Sequence, residues 1–451
     1  MERVKLVQDM TRGNETKLLL KFMLPMLLGN IFQQVYNIAD SIIVGQFEGA
    51  DALGAIGCTA SLTFLFFSIC QGLGMGAGIM VAQFFGAGRE ENVKKTLTNS
   101  FYIVVASGIL LSVMGVIFTG PVLELLGTPA VQIDDATAYM QIVCGGTVAV
   151  AIYNYASQVM RALGDAKTPL YFLLVATVLN VILDLVFVVG MEKGVSGAAY
   201  ATIIAQGISA LGSLIYAIRR NPYFRFEKRH FIYDSHIGQL CFKVGLPLGI
   251  QGFTIAVSCV ILQKFVNSFD AAVVTAFTVT SRVEQFVQQP YNSLAMAVST
   301  FTGQNMGAGK PERVRRALVR SVWITAVISG AMALVCFFGG ELIVRCFVHE
   351  PEVIEIGVKA LKILGLMFFP LGIIYVTRGV LNGANDTFYA MINGIIEVCG
   401  RISFALLFVN VIPVGMWSVW LATGGTWIIT AMAGTIRYKQ GSWRRKCIAT
   451  T

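Results

Sequence analysis

Long apolar stretches alternate with short polar ones along nearly the whole chain. Twelve windows stand out, at roughly 18–44, 52–80, 96–119, 133–159, 169–190, 196–218, 239–263, 271–303, 317–339, 355–378, 387–409 and 415–436. A helix needs about 20 apolar residues to cross the hydrocarbon core of a bilayer, so each window predicts a transmembrane helix. Windows two and eight are unusually long and rich in glycine or glutamine, which predicts bends or protrusions. The first 21 residues are basic and polar with no apolar signal core. The first span is therefore expected to act as an uncleaved insertion signal.

An internal repeat organises these spans. Gln83–Ser100 (QFFGAGREENVKKTLTNS) and Gln304–Ser321 (QNMGAGKPERVRRALVRS) are identical at eight of 18 positions, and three more keep a basic residue. Leu24-Pro25 recurs as Leu246-Pro247, Gly164-Asp165 as Asn385-Asp386, and Ala201-Thr202 as Ala422-Thr423. The chain is thus expected to be an all-α membrane protein of twelve transmembrane helices in two homologous six-helix lobes. Because six is even, both copies enter the membrane the same way, a parallel repeat. The predicted layout is an N-tail at 1–17, an N-lobe at 18–218, a polar linker at 219–236, a C-lobe at 237–437 and a C-tail at 438–451. Pro25 and Pro247, present in both copies, read as structural bends.

Charge sets the orientation. One set of helix ends carries 27 Lys and Arg residues, the opposite set five (Lys193, Lys264, Arg345, Lys359 and Lys362). The positive-inside rule then places both termini in the cytoplasm. It also accounts for the net charge of +9 without an acidic or nucleic-acid partner. Only 13% of residues are charged and 55% are hydrophobic, against about 25% charged in soluble domains. A soluble enzyme, a nucleic-acid-binding protein and a disordered chain are excluded as default readings. The nine cysteines form no CxxC pair, so neither a disulfide framework nor a zinc site is signalled. The three histidines lie near loops, and no nucleophile set, metal set or phosphate loop is visible; an enzyme is not expected. The glycines at 72, 74, 76 and 78 suit a tightly packed or bent helix.

Six charged residues remain inside the spans: Asp40, Asp184, Arg282, Glu284, Glu397 and Arg401. Each costs about 2.5–3.5 kcal/mol on insertion scales and so calls for a reason. Span 1 carries Gln33, Gln34, Tyr36, Asn37 and Asp40, with Gln33, Asn37 and Asp40 on one helix face. Asn180 and Asp184 share a face of span 5. Such stripes either line a wet cavity or join helices; the terminal carboxylates favour the cavity. At the aligned positions of the second half, Asp40 becomes Leu262, Asp184 becomes Ala405 and Asn180 becomes Arg401. The acids are confined to one half, whereas purely structural residues should recur in both. On span 8, Glu284, Gln288 and Asn292 share a second polar face, either a substrate path or a hydrated helix contact. Glu397 and Arg401, four residues apart, are expected to neutralise each other.

These features together resemble the multidrug and toxic compound extrusion (MATE) family. The likeness rests on LPMLLGNIFQQVYNIADSIIVGQ at 24–46, QFFGAG at 83–88, QNMGAG at 304–309 and MRALGDAKTP at 160–169, and covers about residues 15–437. It implies two lobes around a central cleft and export of drugs in exchange for H⁺ or Na⁺. The first lobe is similar to the DinF-like branch. That likeness implies an ion-coupling site at Asp40, Asp184, Asn180 and Thr202, with Tyr36 and Asn37 beside them. It implies no cofactor beyond the coupling ion, with Na⁺ able to sit at Asp40, Asp184 and Asn180. Gln33, Gln34, Gln251, Glu284, Gln288 and Asn292 are the expected substrate contacts.

The expected function is a secondary active exporter of lipophilic or cationic drugs, working by alternating access as a monomer in the plasma membrane. The alternative is a flippase for lipid-linked oligosaccharides or cell-wall precursors from the same superfamily. A polyanionic headgroup should draw several Arg or Lys into the cavity, and only Arg282 and Arg401 are candidates. A channel would need a ring of like residues, and the carboxylates are one-sided.

Overall fold

The computed structural model describes residues 7–125 and 128–448; the outermost parts of the expected tails, 1–6 and 449–451, lie outside the described residues. Thirteen α-helices follow one another among the described residues, and no strand is found there. They are α1 Glu15–Phe47, α2 Gly49–Gly86, α3 Glu90–Leu125, α4 Ile133–Gly145, α5 Thr147–Ala162, α6 Lys167–Asp184 and α7 Gly194–Arg220. Then come α8 Ser235–Val266, α9 Ala271–Gly307, α10 Pro311–Arg345, α11 Pro351–Gly383, α12 Thr387–Leu406 and α13 Ser418–Lys439.

Among the described residues ten helices are long and apolar enough to cross a membrane, and α4 with α5 forms an eleventh span bent by 50°. The bend falls at Gly145-Gly146, where the expected single span 133–159 is broken. The remaining expected span is α9, which at 37 residues has ample length. Its Arg282, Glu284 and run of glutamines lower its hydropathy. Spans 5 and 11 end alike: α6 runs into a π-helical segment at Leu185–Gly190, and α12 into one at Leu407–Val411.

The repeated motifs are helix stops. QFFGAG closes α2: Ala87 N–H donates to Gln83 O (3.0 Å), Arg89 N–H to Phe84 O (3.0 Å), and Gly88 takes φ +70°. QNMGAG closes α9 in the same way, with Lys310 N–H on Asn305 O (2.8 Å) and Gly309 at φ +68°. A left-handed residue is needed at that point, which glycine adopts without a Cβ penalty. Gly164 (φ +87°) and Asn385 (φ +67°) end α5 and α11 by the same device. After the stop, Asp165 Oδ1 accepts from the backbone N–H of Lys167 and Thr168 and caps α6. Pro311 and Pro351 open α10 and α11, where a missing N–H costs nothing. Pro25 and Pro247 lie inside α1 and α8.

The residues fall into two compact units. The first takes Leu24–Phe253 with the described residues up to Met10; the second takes Thr11–Met23 and the described residues from Thr254 onward. In the first, small residues set the packing. A Cβ on Gly72 would lie 2.2 Å from Gly249 N, and one on Gly76 2.6 Å from Gly245 Cα. Gly74 and Gly78 instead face Tyr155 and Gln158 of α5. The four glycines thus serve two faces of α2, and close backbone approach replaces the hydrophobic drive that lipid removes. The linker is docked on the same unit. Buried His230 meets Glu91 (3.1 Å), and Asp234 N–H donates to Asn99 Oδ1 (2.7 Å).

The second unit has a larger aromatic core of Tyr291, Phe368, Trp420 and Trp427 with aliphatic neighbours. The Trp420 indole N–H donates to Thr280 Oγ1 (3.0 Å), which satisfies its one polar group. Its first segment is clamped to α10: Lys310 Nζ donates to Thr11 O (3.1 Å), and Glu15 pairs with Arg313 (3.3 Å) and Arg316 (3.2 Å). Outward faces are apolar, as on α10, where Trp323, Val327, Leu334 and Phe338 are all exposed. That stripe suits lipid as solvent.

Candidate functional site

In the first unit, α1, α6 and α7 bring one polar cluster together. α1 supplies Tyr36 and Asp40, α6 supplies Asn180 and Asp184, and α7 supplies Thr202. Asn180 and Asp184 are four residues apart and both fully buried. Asp184 is the last residue of regular helix before the π-helical segment, a type of irregularity that recurs at functional sites.

The contacts form a chain. The Tyr36 hydroxyl meets Thr202 Oγ1 at 3.2 Å. The Asn180 carboxamide lies beside the same hydroxyl (3.4 Å). With its NH₂ turned to the carboxylate, Asn180 donates to Asp184 Oδ2 (2.8 Å) and accepts from the Thr202 N–H (3.2 Å). Asp184 and Asp40 are within hydrogen-bonding reach of each other. Tyr139, from α4, stands close enough to feel the charge of both acids. The α1–α6–α7 seam also holds a small cavity of ≈ 10 Å³ lined by Gln33, Tyr36, Thr177, Asn180, Thr202 and Gln206 among others. That is room for about one water molecule.

Two features give this cluster its chemistry. No basic side chain forms an ion pair with either aspartate among the described residues. One oxygen of each, Asp40 Oδ1 and Asp184 Oδ1, is buried with no hydrogen-bond donor. Two adjacent carboxylates in a low-dielectric pocket repel and lack solvation, so a proton or a small cation between them relieves both costs.

The other expected contacts are scattered. Asn37 is exposed, and only its backbone carbonyl is engaged, by the Ser41 hydroxyl (2.8 Å). Gln34 is half-buried. Gln251 is buried in the first unit with an unpartnered side-chain NH₂. Asn292 and Arg282 are exposed on α9.

The second unit holds a buried charge network that the sequence outlined only in part. Glu284 accepts from Gln288 Nε2 (2.7 Å), and Gln288 Oε1 accepts from the Tyr375 hydroxyl (3.0 Å). Arg378 donates to Glu397 Oε2 (2.7 Å) and to Asn393 Oδ1 (2.6 Å). Arg401 reaches Glu397 Oε1 at 3.4 Å and Cys259 Sγ at 3.6 Å. The expected Glu397–Arg401 pair exists, but Arg378, assigned by sequence to a helix end, is the nearer partner. Two arginines and two glutamates balance, and no such network is found inside the spans among the described residues of the first unit.

The MatE family model matches residues 25–186 and again 247–407. The chain belongs to the MATE family. The two matched segments are the two halves of the repeat. Among similar proteins of Bacillus subtilis, "Probable multidrug resistance protein YpnP" is 29% identical over 97% of this chain and 97% of its own length. "Probable multidrug resistance protein YoeA" is 27% identical over 95% and 94%. A Shewanella oneidensis protein named "FAD transporter" is 26% identical over 81% of this chain and 82% of its own length. A solved structure described as an outward-facing multidrug resistance MATE family transporter superposes with a TM-score of 0.91. It is 21% identical and covers 98% of this chain and 99% of that one; at that identity it carries the fold. Members of this family are transporters, not enzymes.

Proposed function

We propose that the protein exports lipophilic, mostly cationic small molecules by alternating access, driven by inward H⁺, with Na⁺ as the other candidate ion. The observation that carries this reading is the Asp40–Asp184 pair, with Asp184 fully buried and Asp40 half-buried, within reach of each other and without a basic partner among the described residues. Asp40, Asp184, Asn180, Thr202 and Tyr36 form the ion-coupling site, as in the DinF-like branch the first half resembles, with Asn37 at its edge. With the acids ionised, the lobe favours a cationic cargo; protonation from outside removes that charge and favours release. The ion must bind the two conformations differently for exchange to occur. Gln33, Gln34, Gln251, Glu284, Gln288 and Asn292 serve as polar substrate contacts. The protein acts as a monomer in the plasma membrane with both termini in the cytoplasm.

The relative named for FAD raises an anionic cargo as a second possibility. In this chain the buried arginines Arg378 and Arg401 are already opposed by Glu397 and Glu284, which favours the cationic reading. The test is dye export from proteoliposomes under an imposed pH gradient. Asp40→Asn mimics only the protonated state and should abolish pH-driven export while the protein still purifies and folds. Normal pH-driven export by that variant would remove Asp40 as the coupling residue and turn attention to Glu284.

A further inference from the structure

At the end of the second unit opposite its basic helix ends, a groove of ≈ 540 Å³ runs between α11 and the start of α13, lined by Lys359, Lys362, Ile363, Val414, Trp417 and Leu421. We propose that this groove is a binding site for an anionic phospholipid, held by its phosphate on Lys362 and Lys359 with an acyl chain along Ile363, Val414 and Leu421.

Charge complementarity singles out the occupant. These helix ends carry only five basic residues in the whole chain, and two of them sit one helical turn apart here. Lys359 is paired with Glu355 (2.6 Å), but both side chains are more than half exposed, 57% and 69%, so that pair is weak and readily exchanged. Lys362 is half-buried and has no carboxylate within ion-pair distance among the described residues. A lysine that merely snorkels to the interface needs no groove beneath it. Here the groove continues past the ammonium groups onto three apolar side chains.

Trp417 adds an independent element. Its ring packs on Trp420 with centroids 5.7 Å apart, which holds it at the groove wall. The Trp420 indole N–H is satisfied by Thr280, whereas that of Trp417 donates to no acceptor among the described residues. An indole at the membrane interface beside two ammonium groups suits an ester carbonyl directly below a phosphate.

Native mass spectrometry of the purified full-length protein tests it, with palmitoyl-oleoyl phosphatidylglycerol and phosphatidylcholine offered at equal concentration and inorganic phosphate as competitor. The expected result is a retained phosphatidylglycerol adduct that phosphatidylcholine does not match. Lys362→Gln should weaken that adduct about fivefold, as expected for one interfacial lysine. Lys362→Arg should keep it, and Lys193→Gln, at the corresponding ends of the first half, should leave it unchanged. Melting curves for each variant separate loss of lipid from loss of fold. Equal adducts in wild type and Lys362→Gln, or equal retention of both lipids, would overturn the proposal. Displacement by inorganic phosphate alone would mark a free-anion site and overturn the lipid assignment.

Discussion

Glu397 is the hinge of the charge network in the second unit, and its removal has a calculable sign and scale. It receives Arg378 at 2.7 Å and Arg401 at 3.4 Å, while its own side chain is only 9% exposed. At an effective dielectric of about 20 these contacts are worth roughly 6 and 5 kcal/mol of attraction. Most of that offsets the desolvation of three charges, so replacing the whole set by apolar residues is expected to be nearly neutral. Breaking the set is different. Glu397→Gln keeps the shape but leaves two buried guanidinium groups facing each other, opposed only by Glu284 nearby. A cost of about 3–5 kcal/mol is expected. Arg378→Met should cost less, because Arg401 remains to balance Glu397. The double variant Arg378→Met, Glu397→Leu should recover part of the loss, since it deletes one charge of each sign. Steric trapping in bicelles measures these free energies directly, with thermal melting in detergent as a check on rank order. If Glu397→Gln lies within about 0.5 kcal/mol of wild type, the scale of ordinary surface substitutions, the network is hydrated and the reasoning fails.

Two further outcomes follow from packing and charge. A Cβ at Gly372 would lie 2.2 Å from Thr325 Cγ2 and 2.9 Å from Tyr291 Cε1, so Gly372→Ala should cost about 1–3 kcal/mol. Adding Thr325→Ser removes that methyl and should restore at least part of the loss; strictly additive melting shifts would show that the helices part instead. For topology, a cysteine at Arg225 in a cysteine-free background should react with an impermeant thiol reagent only in inverted vesicles. One at Thr128 should react in intact cells, and the reverse pattern would invert the orientation.

How much could be read beforehand depends on the range over which each feature is encoded. The repeated motifs were legible as a repeat, but not as helix stops; that role rests on backbone conformation, with Gly88, Gly164, Gly309 and Asn385 all at left-handed positions. The pairing of Asn180 with Asp184 was legible from helical spacing, and Asp40 from the rarity of charge in apolar spans. That α1, α6 and α7 converge was not contained in any one span. Thr202 entered through family likeness. Tyr139 carried no signal, because a tyrosine in the middle of a short helix such as α4 is ordinary. The break between α4 and α5 was written as Gly145-Gly146, yet the hydropathy on either side masked it.

Arg378 shows the limit most plainly. Basic residues at helix ends normally snorkel to water, so an arginine at the end of an apolar window reads as a topology marker. Its partner, Glu397, lies 19 residues on in another helix, and no periodicity within α11 or α12 points to it. The duplication offers the missing argument. The two halves share stops, the lengths of their first three helices and π-helical ends, all of which hold the scaffold. They differ at these charges inside the spans: Asp40 and Asp184 lack a basic partner among the described residues of the first unit, whereas Glu284 and Glu397 sit with Arg378 and Arg401 in the second. The shared scaffold by itself does not require that difference. On the function proposed above, the asymmetry is expected to mark the half that takes the ion, at Asp40 and Asp184, as the one that can change its net charge. The half that cannot change its charge without orphaning an arginine is expected, on the same proposal, to hold its shape while the ion moves.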